Sequence, residues 1–136
     1  MAEAVKVTRT LHHSVNVEGS LEATVAFYAG LMELPSDARP AIPGIGGHWF
    51  ATENAQLHLV DADAGHEGIR PTGPHVCFAV SDLGAAIAEL EATGVPFTRG
   101  AQGETVQIWF NDPAGNTVEI QQDPDVDPTA GQPAAP

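Results

Sequence analysis

Four side chains in this sequence are of the types that hold a first-row divalent ion: His12, His58, His75 and Glu119. They come as two offset pairs. His75 follows His12 by 63 residues, and Glu119 follows His58 by 61. Imidazole nitrogen and carboxylate oxygen are the donors such an ion takes, and a site forms where they converge from rigid elements. A single histidine in a strand is more often a half-exposed side chain than a ligand. The repeated set is what points to one shared metal, and the donors suit Zn, Ni, Co, Mn or Fe.

The elements that must position these donors follow from hydrophobic periodicity. Two-residue alternation predicts strands over Leu11 to Val17, Trp49 to Thr52, Gln56 to Val60, His75 to Val80, Val106 to Phe110 and Thr117 to Gln121. Helical spacing predicts one helix capped by Ser20, with Leu21, Val25 and Tyr28 on one face. A second is capped by Ser81 or Asp82, carries Leu83, Ile87 and Leu90, and stops at Gly94 with Pro96 beyond. The same order of features occurs twice: Trp49-Phe50 returns as Trp109-Phe110, and Leu21, Val25 and Tyr28 return as Leu83, Ile87 and Leu90. The chain therefore reads as a single domain, 1–122, of two similar modules, about 5–62 and 73–122. The Pro/Gly-rich stretch Pro35 to Gly47 is expected to be a loop, and the Pro/Asp-rich residues 123–136 a disordered tail.

Alternation then sorts the side chains. His12 shares a face with Ser14 and Asn16, opposite Val15 and Val17; His58 goes with Gln56; His75 with Cys77 and Ala79; Glu119 with Thr117 and Gln121. All four candidate ligands fall on the face turned away from the helix-covered core. His13, chemically equal to His12, falls on the core side and is set aside. His48 and His66 lie in sequence that reads as solvated loop. Cys77 shares the face of His75 but is read as a small hydrophobe outside the site. Asn16, Trp49, Gln107 and Trp109 are on or near the same faces and are candidates to line an organic substrate. Arg39 and Arg99 are expected to have surface roles.

Composition narrows the function classes. Five Lys+Arg against 18 Asp+Glu among 136 residues gives a net charge of −13, which repels phosphate backbones and anionic lipid and excludes nucleic-acid binding through a basic face. The 43% hydrophobic content is enough to build a core. A single cysteine rules out an internal disulfide framework, and no apolar run approaches the roughly 20 residues that cross a bilayer. A cytoplasmic protein acting on a small molecule, with no nucleic-acid or membrane partner, is the expectation.

Several stretches resemble the vicinal oxygen chelate superfamily, which includes glyoxalase I, methylmalonyl-CoA epimerase, extradiol dioxygenases and the fosfomycin and bleomycin resistance proteins. They are Leu11-His12-His13-Ser14-Val15-Asn16-Val17 followed by LEATVAFY, Gln56-Leu57-His58-Leu59, Gly73 to Val80 with Asp82-Leu83, and Asp112-Pro113-Ala114-Gly115-Asn116 leading to Val118-Glu119. The resemblance covers about residues 7–122. It implies an α+β fold of two tandem βαβββ modules, whose curved mixed sheets surround a cup-shaped site. It also implies a divalent metal held by His12, His58, His75 and Glu119, and a homodimer in which His12 of one subunit meets His75 of the other. His58 departs from the pattern: glyoxalase- and epimerase-like members commonly have Glu or Gln there, and ring-cleaving and fosfomycin-type members leave the position unused.

Three activities remain open. The first is a glyoxalase- or epimerase-like lyase or isomerase, whose metal chelates two vicinal substrate oxygens while Glu119 or His58 moves a proton. In the second, His12, His75 and Glu119 form the two-His-one-carboxylate triad of a non-haem Fe(II) ring-cleaving dioxygenase. The third is a bleomycin-resistance-type protein that sequesters an aromatic molecule between Trp49 and Trp109 without chemistry.

Overall fold

The computed structural model describes residue 6 and residues 9–64 and 68–129. The chain divides into two compact units, Met1–Ala64 and Gly65–Pro136. The first contains β1 (His12–Asn16), α1 (Leu21–Gly30), β2 (Ser36–Asp37), β3 (Gly47–Ala51) and β4 (Gln56–Val60). The second contains β5 (Val76–Val80), α2 (Leu83–Thr93), β6 (Phe97–Gln102), β7 (Thr105–Asn111) and β8 (Thr117–Gln122). The class is α+β, with two four-stranded mixed sheets ordered β1-β4-β3-β2 and β5-β8-β7-β6. Each unit is a βαβββ module, and neither sheet closes into a barrel.

The pairing is the same in both. The first strand of each unit lies parallel to the last, β1 to β4 and β5 to β8, and the other neighbours are antiparallel. A parallel pair cannot be joined by a tight turn, so the helix and two intervening strands form the crossover. One face of each sheet is apolar and packs on the helix. In the first unit Val17, Phe50, Leu57 and Leu59 are buried with Tyr28 of α1, whose ring centroid lies 6.0 Å from that of Phe50. In the second, Val76, Ile108, Phe110, Val118 and Ile120 are buried with Leu83 and Leu90 of α2. Alternation then turns every second residue of each strand to the opposite face, where the polar candidates lie.

The helix ends differ in how well their signals work. Asp82 caps α2 by accepting from the Ala85 N–H at 3.0 Å, and Gly94 ends it at φ 73°, a left-handed conformation that costs glycine least. Ser20 occupies the N-cap of α1, but its hydroxyl donates back to the Val17 carbonyl and caps nothing. The Asp112–Asn116 stretch folds as the β7–β8 turn. Asp112 Oδ1 accepts from the backbone N–H groups of Ala114 and Asn116 at 3.0 and 2.8 Å, and Gly115 adopts φ 88°.

Four expectations about elements are corrected. The stretch 35–47 is not all loop, because Ser36–Asp37 pairs with Phe50 and Trp49 as edge strand β2. His48 is in β3 rather than a loop, with its Nε2 2.8 Å from Ser36 Oγ. The edge strand β6 was missed, since Phe97–Gln102 mixes Arg99 and Gly100 into its pattern. His75, predicted to open its strand, stands one residue before β5, and the strand predicted from Leu11 begins at His12. His66 and residues 130–136 lie outside the described residues; within 123–129, the Asp123 N–H donates to the Val80 carbonyl at 2.8 Å.

Candidate functional site

In the first unit the polar face is organised around His58, central in β4 and 8% exposed. Register sets Ser14 beside it on β1 and Trp49 beside it on β3, with His12 two residues along, opposite Gln56. These positions produce a stack. The His12 and His58 ring centroids are 4.0 Å apart at 15°, and those of Trp49 and His58 are 3.9 Å apart at 2°. His58 is sandwiched because β4 runs between β1 and β3. Its Nε2 lies 2.9 Å from Gln56 Oε1, and Gln56 Nε2 donates to Asp37 Oδ2 at 2.7 Å. Burial lowers the His58 pKa, and the nearby charges of His12 and Arg39 lower it further, so the imidazole is neutral at pH 7. Arg39, expected at the surface, is half-buried and donates to the Ile45 carbonyl at 2.9 Å. Asn16, at the far end of β1, donates to the Asp63 carbonyl.

In the second unit the same position is held by Glu119, central in β8 and 4% exposed. Register sets Cys77 beside it on β5 and Trp109 beside it on β7, with His75 two residues before Cys77. The internal repeat therefore extends to register: Ser14, His58 and Trp49 occupy the positions of Cys77, Glu119 and Trp109. Here the neighbours converge as donors instead of stacking. Oε1 accepts from Trp109 Nε1 at 2.8 Å and lies 3.0 Å from His75 Nε2; Oε2 accepts from Gln121 Nε2, from Cys77 Sγ at 3.3 Å and from Gln107 Nε2 at 3.4 Å. Burial pushes the Glu119 carboxyl up, and the donors Gln121, Cys77, Trp109 and Gln107 together outweigh it, holding the group below the usual carboxylate range. One side of Cys77 is open to solvent. Partial burial, the hydrogen bond to Glu119 and the carboxylate's charge nevertheless push its thiol up to about 12, so it is a protonated donor at pH 7. Gly100 leaves the space for Trp109, because a Cβ there would come within 2.6 Å of the indole ring.

The predicted residues thus gather in two groups, each within one unit: His12, His58 and Trp49, and His75, Glu119, Gln107 and Trp109. Asn16 shares a face with the first group but bonds elsewhere. Alternation had placed Cys77, Gln121 and Gln56 on these faces without assigning them a part. Asp37 was hidden in the stretch read as loop. As donors for a metal the residues fit in type, and His75 Nε2 and Glu119 Oε1, at 3.0 Å, have the spacing of two ligands on one ion. The His12 and His58 lone pairs lie in nearly parallel ring planes, so one ring must turn before both can meet one ion. Among the described residues no group of three or more His, Cys, Asp or Glu side chains is set to hold a metal, and two of the four candidate ligands lie in each unit.

A family model described as Glyoxalase/Bleomycin resistance protein/Dioxygenase superfamily matches residues 10–120. Among solved structures, the chain is similar to a glyoxalase family protein from Bacillus anthracis at TM-score 0.77 and 22% identity, covering 89% of this chain and 99% of that one. It is also similar to lactoylglutathione lyase from Agrobacterium tumefaciens, at TM-score 0.64 and 23% identity over 82% and 91% of the two chains. The oxidase ChaP-H2 follows at TM-score 0.64 and 17% identity over 88% and 96%. At these identities the likeness is one of fold. No curated protein matches the chain.

Proposed function

The chain belongs to the Glyoxalase/Bleomycin resistance protein/Dioxygenase superfamily, and on that premise we propose that it is a metal-dependent lyase or isomerase of the glyoxalase or epimerase kind, acting on a small oxygen-rich substrate. The observation that carries the reading is the pairing of His75 with a buried, ionised Glu119 at 3.0 Å. A buried carboxylate with this many donors is costly to assemble for stability alone, whereas it suits a site that binds a cation.

In this reading His12, His58, His75 and Glu119 supply the donors. The bound ion, one of Zn, Ni, Co, Mn or Fe, would supply Lewis-acid polarisation of two vicinal substrate oxygens. Proton transfer would fall to Glu119 or, where it is not a ligand, to His58, whose imidazole is neutral. Asn16, Trp49, Gln107 and Trp109 line the substrate. A homodimer belongs to the same reading and is checked by light scattering.

One observation favours a second reading. His58 Nε2 is engaged by Gln56 and its ring is held between two others, which leaves His12, His75 and Glu119 as the two-His-one-carboxylate set of a non-haem iron(II) dioxygenase.

Titration of the metal-free protein with Co²⁺, followed by visible absorption, tests the ligand set. Wild type and His13→Ala are expected to develop the same bands, and His75→Ala to bind at least about tenfold more weakly, as loss of one ligand requires. Equal binding by His75→Ala and wild type overturns it. No binding by wild type leaves the bleomycin-resistance-type alternative, a protein that holds an aromatic molecule without chemistry.

A further inference from the structure

The edge strand β2 sets Asp37 beside Trp49, with its Oδ1 taken by the backbone N–H of Ala38 at 2.9 Å and its Oδ2 by Gln56 Nε2 at 2.7 Å. An ionised carboxylate only accepts hydrogen bonds. Both bonds lower the Asp37 pKa, so the group is a carboxylate throughout the neutral range. The orientation of the Gln56 amide is therefore not free. Its NH₂ must face Asp37, since the reverse would set two acceptor oxygens against each other and lose the bond to the carboxylate. The Gln56 Oε1 is then the atom 2.9 Å from His58 Nε2. A carbonyl oxygen also only accepts, so the proton between them must be on the imidazole. A half-turn of the ring within the His12–His58–Trp49 stack would set a ring carbon against Gln56 Oε1 and forfeit this bond.

We infer that Asp37 and Gln56 are positioning residues that fix the proton of His58 on Nε2 and leave Nδ1 as the basic nitrogen of the ring. His58 then accepts a proton, or meets a cation, through Nδ1 and not through Nε2. This deepens the proposed acid–base use of His58, and its functional consequence rests on that reading. The location of the proton does not depend on it.

Long-range ¹H–¹⁵N spectra of the ¹⁵N-labelled, metal-free full chain at pH 7.5 read the tautomer directly. The expected result is a pyrrole-type Nε2, a pyridine-type Nδ1 and a protected Nε2 proton on His58. Free imidazole also favours this tautomer, so the dependence on Asp37 is decisive. In Asp37→Asn the amide of Gln56 is released to turn over, and the Nε2 proton should exchange at least about fivefold faster, the factor that corresponds to one ordinary hydrogen bond. Gln56→Met, similar in length but without an amide, should do the same if Asp37→Asn does not fold. An upfield ring-current shift of His58 from Trp49, retained in either variant, shows that the stack is intact. A proton on Nδ1 in the wild type overturns the inference, as does unchanged exchange in a folded variant. Added Zn²⁺ separates the two claims: loss of the Nε2 proton to the metal overturns this inference, whereas no zinc binding anywhere overturns only the proposed metal dependence.

Discussion

The two units solve the same positional problem with opposite chemistry. Each sets one buried polar residue at the centre of its last strand, with a tryptophan beside it on the neighbouring antiparallel strand and a histidine near the start of the first. In the first unit the central residue is a neutral imidazole held mainly by two flat rings, with one hydrogen bond to orient it. In the second it is a carboxylate held by donors from β5, β7 and β8, with no stacking partner. The repeat therefore preserves register while freeing the side chain, because backbone pairing fixes where a residue sits and leaves open what it does there. A charge buried in one half requires donors; a neutral ring in the other requires only shape and one acceptor.

The sharpest way to break this contrast is to remove each centre. Glu119→Ala leaves the Trp109, Gln107 and Gln121 donors without an acceptor and should cost about 3 kcal/mol or more. His58→Ala forfeits stacking and one bond, and should cost about 1 to 2 kcal/mol. Urea midpoints give the order, and a larger loss for His58→Ala would contradict it. The tryptophans sharpen the same point with a smaller effect. Trp109→Phe removes the N–H bonded to a carboxylate and should cost about 2 kcal/mol, whereas Trp49→Phe keeps an aromatic face on His58 and should cost less than about 1.

The smallest effect is the pH dependence. Both centres have depressed pKa values, so each contributes stability that is present above its ordinary value and lost as pH falls through the folded one. Stability should decline first below 6.5, where His58 begins to be protonated in the unfolded chain, and again below 4.5 for Glu119. Urea midpoints measured from pH 8 to pH 3 should show both declines. His58→Phe should shrink the first and Glu119→Gln the second; if either variant leaves its decline unchanged, that centre is not its source.

Much of this was legible in the sequence, for reasons that particular residues make plain. The strands carrying His58 and Glu119 alternate cleanly between apolar and polar, so Leu57 and Leu59, or Val118 and Ile120, announce which face the residue between them must take. Asp37 could not be read this way. A two-residue edge strand has no period, and Pro35 and Pro40 around it signal a turn. Gly100 was equally silent, because its meaning is the Trp109 ring above it, nine residues on and across a hairpin that alternation did not reveal. The stack, the Asp37–Gln56 relay and the donors around Glu119 are properties of cross-strand neighbours. Spacing along one strand gives the face of a side chain and leaves its partners on the next strand unspecified.

The central proposal is that the chain binds a divalent ion through the candidate histidines and Glu119, and metal counted per chain tests it most directly. Elemental analysis of protein purified anaerobically without chelator is expected to find about one divalent ion per chain, lost in both His12→Ala and Glu119→Ala. Full metal retained in either folded variant would contradict the account, because the residue removed would then contribute nothing to the ion.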